Sequence, residues 1–351
     1  MATWRTRAYR AVRPLLFSLD PERVHHLALA LLESPLGRAL APFAGGAGDP
    51  AAAPTSCLGL TFRNRIGLGA GFDKDGEAIR GWAALGFGFV ELGTVTPRPQ
   101  AGNQAPRLFR LPADAALINR MGFNNAGADA LARRIAEARP HLPEGFVVGV
   151  SIGRNRNGDA DDYPAAARAL GGVADYLAIN VSSPNTPGLR QLQDPDHLRS
   201  VVDAVAHAAP DRPLLVKLSP DLSDDQRTAV LDRLDGSAVA GLILSNTTVT
   251  RPDVRSRRLA TEEGGLSGQP LLPSTLRTVT AVADRDLAIV ASGGVGSGDD
   301  VAAMLAAGAD LVQLWTGMIY AGPGLIGEAV DATRRAGGMA RRRARTSSDA
   351  C

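Results

Sequence analysis

The sequence of 351 residues lacks several features by which other classes of protein are recognised. It has only two cysteines, Cys57 and Cys351, which excludes a disulfide framework and a multi-cysteine metal site. Its five histidines show no metal-ligand spacing, and no His/Asp pair backs a serine as in a hydrolytic triad. We therefore expect neither a metal centre nor hydrolytic chemistry.

Long apolar runs are also missing from the sequence. No run reaches the roughly 18 to 20 residues needed to span a bilayer, and the N-terminus lacks the charged, apolar and small-residue order of a cleaved signal peptide. The net charge is only +2, so nucleic acid is not expected as a partner. These absences predict a protein that stays in the cytoplasm, either free or bound to a membrane surface.

Residues 1–45 have the pattern of an N-terminal helical extension. Basic and apolar residues alternate over residues 5–19, and Asp20-Pro21-Glu22 then supplies a helix cap with proline at the first position. Apolar residues continue at helical spacing over residues 24–32. A basic amphipathic helix pair is typical of an interfacial membrane anchor, although two helices packed on a neighbouring domain would show the same pattern. A linker rich in glycine, alanine and proline follows over residues 45–54.

From residue 55 onward, short apolar and β-branched runs alternate with helical patterns. Eight such runs predict an α/β fold, a closed (β/α)8 TIM barrel over residues 55–333, although a doubly wound open sheet would show similar alternation. Polar residues follow the ends of the runs, which favours the barrel because those ends meet at one face. The runs cover residues 66–70, 89–94, 146–152, 176–181, 214–218, 241–245, 288–292 and 311–316.

The end of the chain, residues 334–351, is rich in arginine and finishes in small polar residues. Basic runs of this kind are usually solvated. We therefore expect a disordered basic tail after the barrel, for which weak attraction to anionic lipid is possible but not required.

Three glycine-containing segments are candidates for binding a phosphate. Residues 292–295 end the seventh run, residues 315–317 end the eighth, and residues 264–268 precede a helical pattern. Loops after strands seven and eight of a barrel commonly bind phosphate with backbone N–H groups. No Gly-x-Gly-x-x-Gly follows the first run, which disfavours a nicotinamide cofactor. The pattern therefore indicates another phosphorylated cofactor.

Lysine and asparagine residues occupy informative places. Lys217 lies inside an apolar run, where burial would require a negative partner such as a reduced flavin or a phosphate. Lys74 could hold a substrate carboxylate or merely pair with Asp73. The loop 180–185 would place amide and hydroxyl groups over the barrel mouth. Such groups suit a ring with several N–H and C=O groups, such as a pyrimidine, although asparagine is also a common turn residue.

Five ordered segments resemble the dihydroorotate dehydrogenase family, over about residues 10–330. Ser183 stands where the soluble class of that family typically has cysteine. The N-terminal extension is likewise a mark of the membrane-bound, quinone-using class. The segments are AGFDKDG at 70–76, ELGTVTPRPQ at 91–100, PRLFR at 106–110, INRMGFNN at 118–125 and NVSSPNTPGL at 180–189.

The resemblance implies an activity. An enzyme of this class would oxidise dihydroorotate to orotate in pyrimidine (UMP) biosynthesis, with FMN as hydride acceptor and a membrane quinone as final electron acceptor. It would be a peripheral protein at the cytoplasmic face of the cell membrane, held there by its N-terminal helices. Ser183 would be the catalytic base, and the quinone would enter between the N-terminal helices near His25 and Arg110.

The resemblance also assigns binding residues. The FMN contacts would be Ala70, Gly71, Lys74, Thr94, Ser151, Asn180, Lys217, Ser245, Gly268, Gly294, Trp315 and Thr316. The substrate contacts would be Lys74, Asn119, Arg120, Met121, Gly122, Phe123, Asn180, Asn185, Asn246 and Thr247.

Three positions depart from the family's usual pattern. Ser151 stands where asparagine is usual, Ser245 where threonine is usual, and Trp315 where tyrosine is common. These departures affect the details of flavin contact. The alternatives to this assignment are another FMN-dependent barrel oxidoreductase acting on a dihydropyrimidine, a membrane-surface binding module with a vestigial barrel, and a phosphosugar isomerase on the same barrel.

Overall fold

The computed structural model describes residues 3–51, 53–251 and 253–337 and contains a closed barrel of eight parallel strands. Each strand pairs with the next one along the chain, and the last pairs with the first, so the predicted TIM barrel is confirmed. In chain order the barrel strands are β1 (Ile66–Leu68), β2 (Phe89–Val95), β3 (Val147–Ile152), β4 (Tyr176–Asn180), β5 (Leu214–Leu218), β6 (Val239–Leu244), β7 (Ala288–Ser292) and β8 (Leu311–Leu314).

Three helices precede the barrel, which corrects the prediction of a helix pair. They are α1 (Trp4–Phe17), α2 (Pro21–Glu33) and α3 (Pro35–Gly45). The Ser34 side chain accepts a hydrogen bond from the N–H of Gly37, and Pro35 takes the first helical position, so a new helix begins there. Ser34-Pro35 carries the same cap and proline signal as Asp20-Pro21, so this break was readable from the sequence and the prediction overlooked it.

Polar contacts attach the extension to the barrel. Thr6 Oγ1 donates a hydrogen bond to Glu328 at 2.7 Å, and Arg107 pairs with Glu22 at 2.9 Å. Within the described residues no single helix is long and apolar enough to cross a membrane, and α2 with α3 passes that test only as a pair bent by 99°. The docked extension nevertheless leaves an apolar face in solvent, made of Trp4, Val12, Leu15, Leu19, Leu27, Leu31, Leu36, Leu40 and Phe43.

Helices cover the outside of the barrel in the predicted alternation, and the structure adds helices after β8 that the sequence pattern did not predict. The last helix continues through residues 334–337, so the predicted tail cannot begin at residue 334; residues 338–351 lie outside the described residues. The helices are α4 (Ile79–Leu85), α5 (Ala128–Ala138), α6 (Asp162–Leu170), α7 (Pro195–Ala208), α8 (Asp224–Leu234), α9 (Arg257–Ala260), α10 (Leu272–Val282), α11 (Gly298–Ala307), α12 (Thr316–Ala321) and α13 (Gly324–Gly337).

The lower part of the barrel interior is apolar and tightly packed. Phe89 and Tyr176 belong to a buried cluster with residues of a short hairpin, Thr55–Cys57 and Leu60–Phe62, that precedes β1. Both rings occupy space that glycines leave open on neighbouring strands: a Cβ on Gly67 would overlap the Phe89 ring, and a Cβ on Gly149 would overlap the Tyr176 ring. Close packing of this kind keeps the interior a filled core rather than a pore.

The upper part of the interior is polar. Glu91, Lys217 and Gln313 each follow an inward-facing apolar residue by two positions, so they point into the barrel as well. All three are buried. This polar layer lies between the packed aromatic rings and the carboxyl ends of the strands, where a barrel builds its active site.

A small antiparallel sheet, which was not predicted, stands beside the mouth of the barrel. Its strands are Leu108–Leu111, Ala116–Asn119 and Gly265–Gly268, and the middle strand pairs with both others. The Tyr320 hydroxyl of α12 donates to the carbonyl of Ala116 at 2.7 Å and ties this sheet to the barrel. We call it the mouth sheet.

The packing of Tyr176 against Gly149 predicts that Gly149→Ala destabilises the protein. The added methyl overlaps the buried ring, and overpacking of a core costs about 1–3 kcal/mol of unfolding free energy. Denaturant titration followed by circular dichroism measures the loss. Gly172→Ala is the control, because its Cβ would meet no heavy atom within 4 Å. Equal midpoints for the two variants would contradict this account of the interior.

Candidate active site

A cavity opens at the carboxyl ends of the barrel strands. It encloses about 1200 Å³ of empty space, its open mouth included. The polar layer of the interior forms its floor through Lys217 and Gln313, the mouth sheet forms part of its wall, and α2 contributes Glu22 and His25.

Most of the residues predicted for the site line this cavity. Ser183, the predicted base, and His25 from the tentative quinone site are among them. The predicted FMN contacts found there are Ala70, Gly71, Lys74, Thr94, Asn180, Lys217, Ser245, Gly268, Gly294, Trp315 and Thr316. The predicted substrate contacts found there, besides Lys74 and Asn180, are Asn119, Met121, Gly122, Phe123, Asn185, Asn246 and Thr247.

Three predicted site residues are not among those that line the cavity. The Ser151 hydroxyl lies 2.9 Å from that of Thr94, beneath the lining. The Arg120 side chain turns outward and pairs with Glu262 at 2.8 Å. Arg110 donates to backbone carbonyls at the end of α1. A motif fixes the place of a residue in the chain but not the direction of its side chain.

One end of the cavity has a backbone that excludes side chains. Gly268 and Gly294 have φ values of +103° and +82°, in the region that favours glycine. A Cβ on Gly294 would overlap Leu272. The Thr316 hydroxyl lies 2.8 Å from that of Ser267, a lining residue that the sequence did not single out. This arrangement of backbone N–H groups and hydroxyls fits a phosphate group.

Amide side chains at the centre of the cavity hold one another in place. Asn180 Nδ2 donates to Thr94 Oγ1 at 2.7 Å, and Asn246 Nδ2 donates to Asn180 Oδ1 at 3.3 Å. Across the mouth, Asn185 Nδ2 donates to Asn119 Oδ1 at 3.2 Å. These bonds fix which donors and acceptors face the cavity, and they provide a complement to a ring with amide edges.

The loop that carries Ser183 is tied down by an arginine. Ser183 is buried, and its Oγ accepts a hydrogen bond from the N–H of Asn185 at 3.3 Å. Arg190 donates to the carbonyls of Ser182 at 3.0 Å and Thr247 at 3.1 Å, and it pairs with Asp221 at 2.7 Å. Sequence reasoning missed Arg190, because an arginine after a loop is usually a solvated residue.

Two lysines present positive charge to the cavity, and neither forms a salt bridge within the part of the chain that the structure describes. Burial lowers the pKa of Lys74 to about 8, and Asp75 opposes that shift. Burial also lowers the pKa of Lys217, opposed by Glu91. Asp73 is not the partner of Lys74, because its carboxylate accepts hydrogen bonds from backbone N–H groups and Trp82. The cavity is therefore prepared for an anionic ligand.

An aromatic path connects the extension with the floor of the cavity. The ring of Phe72 lies 5.2 Å from that of His25 on one side and 5.2 Å from that of Trp315 on the other. Burial, with smaller contributions from Lys74 and His26, lowers the pKa of His25 to about 4. His25 is thus a neutral imidazole at neutral pH and can both donate and accept a hydrogen bond.

Comparison with known proteins gives a consistent result. A family model described as dihydroorotate dehydrogenase matches residues 52–332. The dihydroorotate dehydrogenase (quinone) of Halorhodospira halophila is 47% identical over 346 residues, covering 94% of this chain and 99% of the relative. That of Xanthomonas oryzae pv. oryzae is 45% identical, with 93% and 96% covered. A crystal structure of DHODH from Eimeria tenella in complex with ferulenol matches with a TM-score of 0.81 and 36% identity, covering 91% of this chain and 93% of that one.

The contacts of Arg190 predict that Arg190→Ala loosens the loop that carries Ser183. The loop loses the side chain that joins it to the segment after β6, so the amides of residues 181–189 should exchange hydrogen at least tenfold faster. Hydrogen exchange measured by mass spectrometry tests this, with Arg199→Ala on α7 as control, since the partners of Arg199, Asp203 and the carbonyl of Arg233, lie outside the loop. Unchanged protection in Arg190→Ala would show that the loop is held by other contacts.

Proposed function

The chain belongs to the dihydroorotate dehydrogenase family, and we propose that it oxidises dihydroorotate to orotate with FMN as hydride acceptor and a membrane quinone as the final electron acceptor. Both curated relatives described above carry the quinone-dependent name over almost their whole length. The observation that carries the proposal is the convergence of Ser183, the fixed amide groups and two lysines in one cavity that α2 also reaches.

The cavity fits FMN at both ends. The glycine backbone around Gly268 and Gly294 would hold the phosphate, and Lys217 on the floor would face the electron-poor ring. Gln313 supports the fit, because this residue lines the cavity and its buried Oε1 has no hydrogen-bond partner in the described part of the chain. When bound, FMN would supply the hydride-accepting and electron-transferring chemistry that no side chain provides.

Dihydroorotate would bind on the mouth side of the cavity. Lys74 would hold its carboxylate, and the amides of Asn119, Asn185 and Asn246 would match the N–H and C=O groups of its ring. Since the side chain of Arg120 pairs with Glu262, any contact from that residue would come from its backbone. The remaining substrate contacts would be those of residues 121–123 and of Thr247 and Asn180.

Ser183 would act as the base through its Oγ, taking a proton from the ring methylene. A serine hydroxyl is a weak base at neutral pH, so it requires an environment from which bulk water is excluded and an outlet through which its own proton leaves as it accepts another. Ser183 is only 6% exposed, and Arg190 holds the backbone of its loop against the segment after β6. Lys217 would meanwhile stabilise the negative charge that develops above it.

The extension would provide membrane attachment and access for the quinone. It exposes nine large apolar side chains, as amphipathic helices do when they lie on a membrane. We place the protein as a peripheral enzyme at the cytoplasmic face of the membrane. The quinone would pass between α1 and α2, where Arg110 holds the end of α1 and the neutral His25 reaches the cavity.

The proposed reaction predicts a defined spectral response. In an anaerobic cuvette, dihydroorotate should bleach the oxidised-flavin band of the purified protein, and a quinone, but not NAD, should restore it. Ser183→Ala should keep FMN bound and slow the bleaching by about 100-fold or more, because general base catalysis contributes that much. A flavin band that dihydroorotate leaves unchanged would contradict the proposed substrate, and bleaching at the wild-type rate in Ser183→Ala would remove Ser183 from the base role.

The apolar face predicts vesicle binding that depends on its leucines. Leu27→Ser with Leu31→Ser removes two side chains that are 65% and 60% exposed, and each would contribute about 1.5–3 kcal/mol if buried in lipid. Co-sedimentation with phospholipid vesicles should weaken by at least tenfold, and turnover with a long-chain quinone should fall while a water-soluble acceptor is still reduced. Val249→Ser is the control, since Val249 is 50% exposed but lies outside the extension. Equal vesicle binding by all variants would contradict the membrane role.

A further inference from the structure

Four carboxylates are buried in the part of the chain that the structure describes, and three of them are satisfied by backbone N–H groups, hydroxyls or arginines. Glu91 is the exception. The donors to the other three are Glu77, Ala78 and Trp82 for Asp73, Arg255 and Ser256 for Asp114, and Asn155 and Arg98 for Asp162.

Glu91 is completely buried and has too few partners for an isolated charge. Its Oε2 accepts hydrogen bonds from the Tyr176 hydroxyl at 3.1 Å and from Gln313 Nε2 at 2.7 Å. Its Oε1 has no partner among the described residues, and both donors to Oε2 are neutral. Burial raises the pKa of Glu91, and Lys217 is the strongest of the groups that oppose the shift. A carboxylate in this position stays ionised only with a cation nearby.

Lys217 is the cation in the same layer. It faces inward from β5, it is 6% exposed, and it lines the cavity floor beside Gln313, which bonds to Glu91. Glu91 is the charged group that raises the pKa of Lys217 against the effect of burial. The other titratable group in the layer, Tyr176, has a pKa well above its usual value because it is buried, and it therefore remains neutral.

We propose that Glu91 is the counter-ion that keeps Lys217 protonated beneath the bound ligand, and that it is thus a positioning residue for the cofactor site. Tyr176 and Gln313 hold the Glu91 carboxylate beneath the cavity floor, to which Lys217 belongs. The pair is inferred from the burial of both groups, from the unpartnered Oε1 of Glu91 among the described residues, and from Gln313, which bonds to Glu91 and lines the cavity with Lys217. Its effect on a flavin depends on the function proposed above.

The pair has a consequence for proton uptake. If the charge of Glu91 is removed, burial acts unopposed and the pKa of Lys217 falls further below its ordinary value. Lys217 Nζ would then be partly neutral above that pKa. Negative charge arising in the cavity on reduction would raise its pKa again, so Nζ would bind one proton from solvent for every two electrons. With Glu91 in place, Lys217 is already protonated and takes up none.

A thermodynamic cycle on the full-length protein as purified tests the pair without reference to activity. Glu91→Gln keeps the shape of the side chain and removes its charge, and Lys217→Met removes the cation. The two single variants should each lose stability, and the double variant should lose less than the sum of those two losses. We expect the difference to correspond to roughly tenfold or more in the unfolding equilibrium constant. Asp162→Asn combined with Lys217→Met is the control and should be additive, since Asp162 has its own donors.

The same variants give a pH signature. In Glu91→Gln the folded state holds Lys217 with a further lowered pKa, so between that pKa and the ordinary pKa of lysine the unfolded state binds more protons. Stability should therefore rise with pH more steeply than in the wild type, and Lys217→Met should abolish the difference. Additive losses together with a wild-type pH slope would overturn the pair, even in an active enzyme. Coupling would support it whether or not a flavin binds.

The effect on the cofactor is tested by the midpoint potential of the FMN-loaded protein between pH 6 and 9. In Glu91→Gln, the plot of midpoint potential against pH should contain a steeper segment, because one extra proton is taken up for every two electrons. The extra slope is about 30 mV per pH unit, which corresponds to a tenfold change in the equilibrium constant. The wild type and the Glu91→Gln, Lys217→Met double variant should lack that segment. Identical slopes in Glu91→Gln and the wild type would overturn the proposed role of Glu91 at the cofactor site.

Discussion

The packing of Tyr176 across the barrel is the contact on which the rest of the site depends. Its ring occupies the space that Gly149 leaves on the neighbouring strand, and its hydroxyl reaches Glu91. One side chain therefore ends the apolar layer and begins the polar one. Because the ring cannot shift without leaving a void, it fixes the position of the Glu91 carboxylate along the barrel axis. Gln313, which bonds to Glu91, forms the cavity floor together with Lys217.

The loops add what the strands cannot supply. Strands can only present alternate residues at set heights, so the groups that would meet a substrate come from the segments that follow them. These segments are held by one another: Asn185 bonds to Asn119, and Arg190 joins the Ser183 loop to Thr247. The mouth thus has a rigidity that no single loop would have, and Ser183, the base proposed above, would depend on that rigidity to remain buried.

The sequence predicted the barrel well because each strand is a short apolar run that ends in polar residues, a pattern set by local burial. It predicted the cavity residues through motifs. The prediction failed where the direction of a side chain or a contact between distant segments decides the outcome. Arg120 turns to Glu262, and Ser151 lies behind Thr94. Arg190 belongs to no motif, although it joins two loops. The mouth sheet was missed because its strands, such as Gly265–Gly268, are short and pair with segments far away in the chain. Such pairings leave no periodic trace in the sequence.

The N-terminal extension differs from the barrel in that it leaves many of its large apolar side chains in solvent. Its contacts with the body include hydrogen bonds and ion pairs, such as Thr6 with Glu328, while large apolar side chains such as Leu27 and Phe43 face solvent. A helix that only packed on its neighbour would bury that face. Helix α2 places His25 at the cavity and also exposes Leu27 and Leu31 to solvent. The same helix therefore has one apolar surface in solvent and one residue in the cavity wall. An acceptor dissolved in lipid could then approach the site without crossing water, which a mouth opening on the far side of the barrel would not allow.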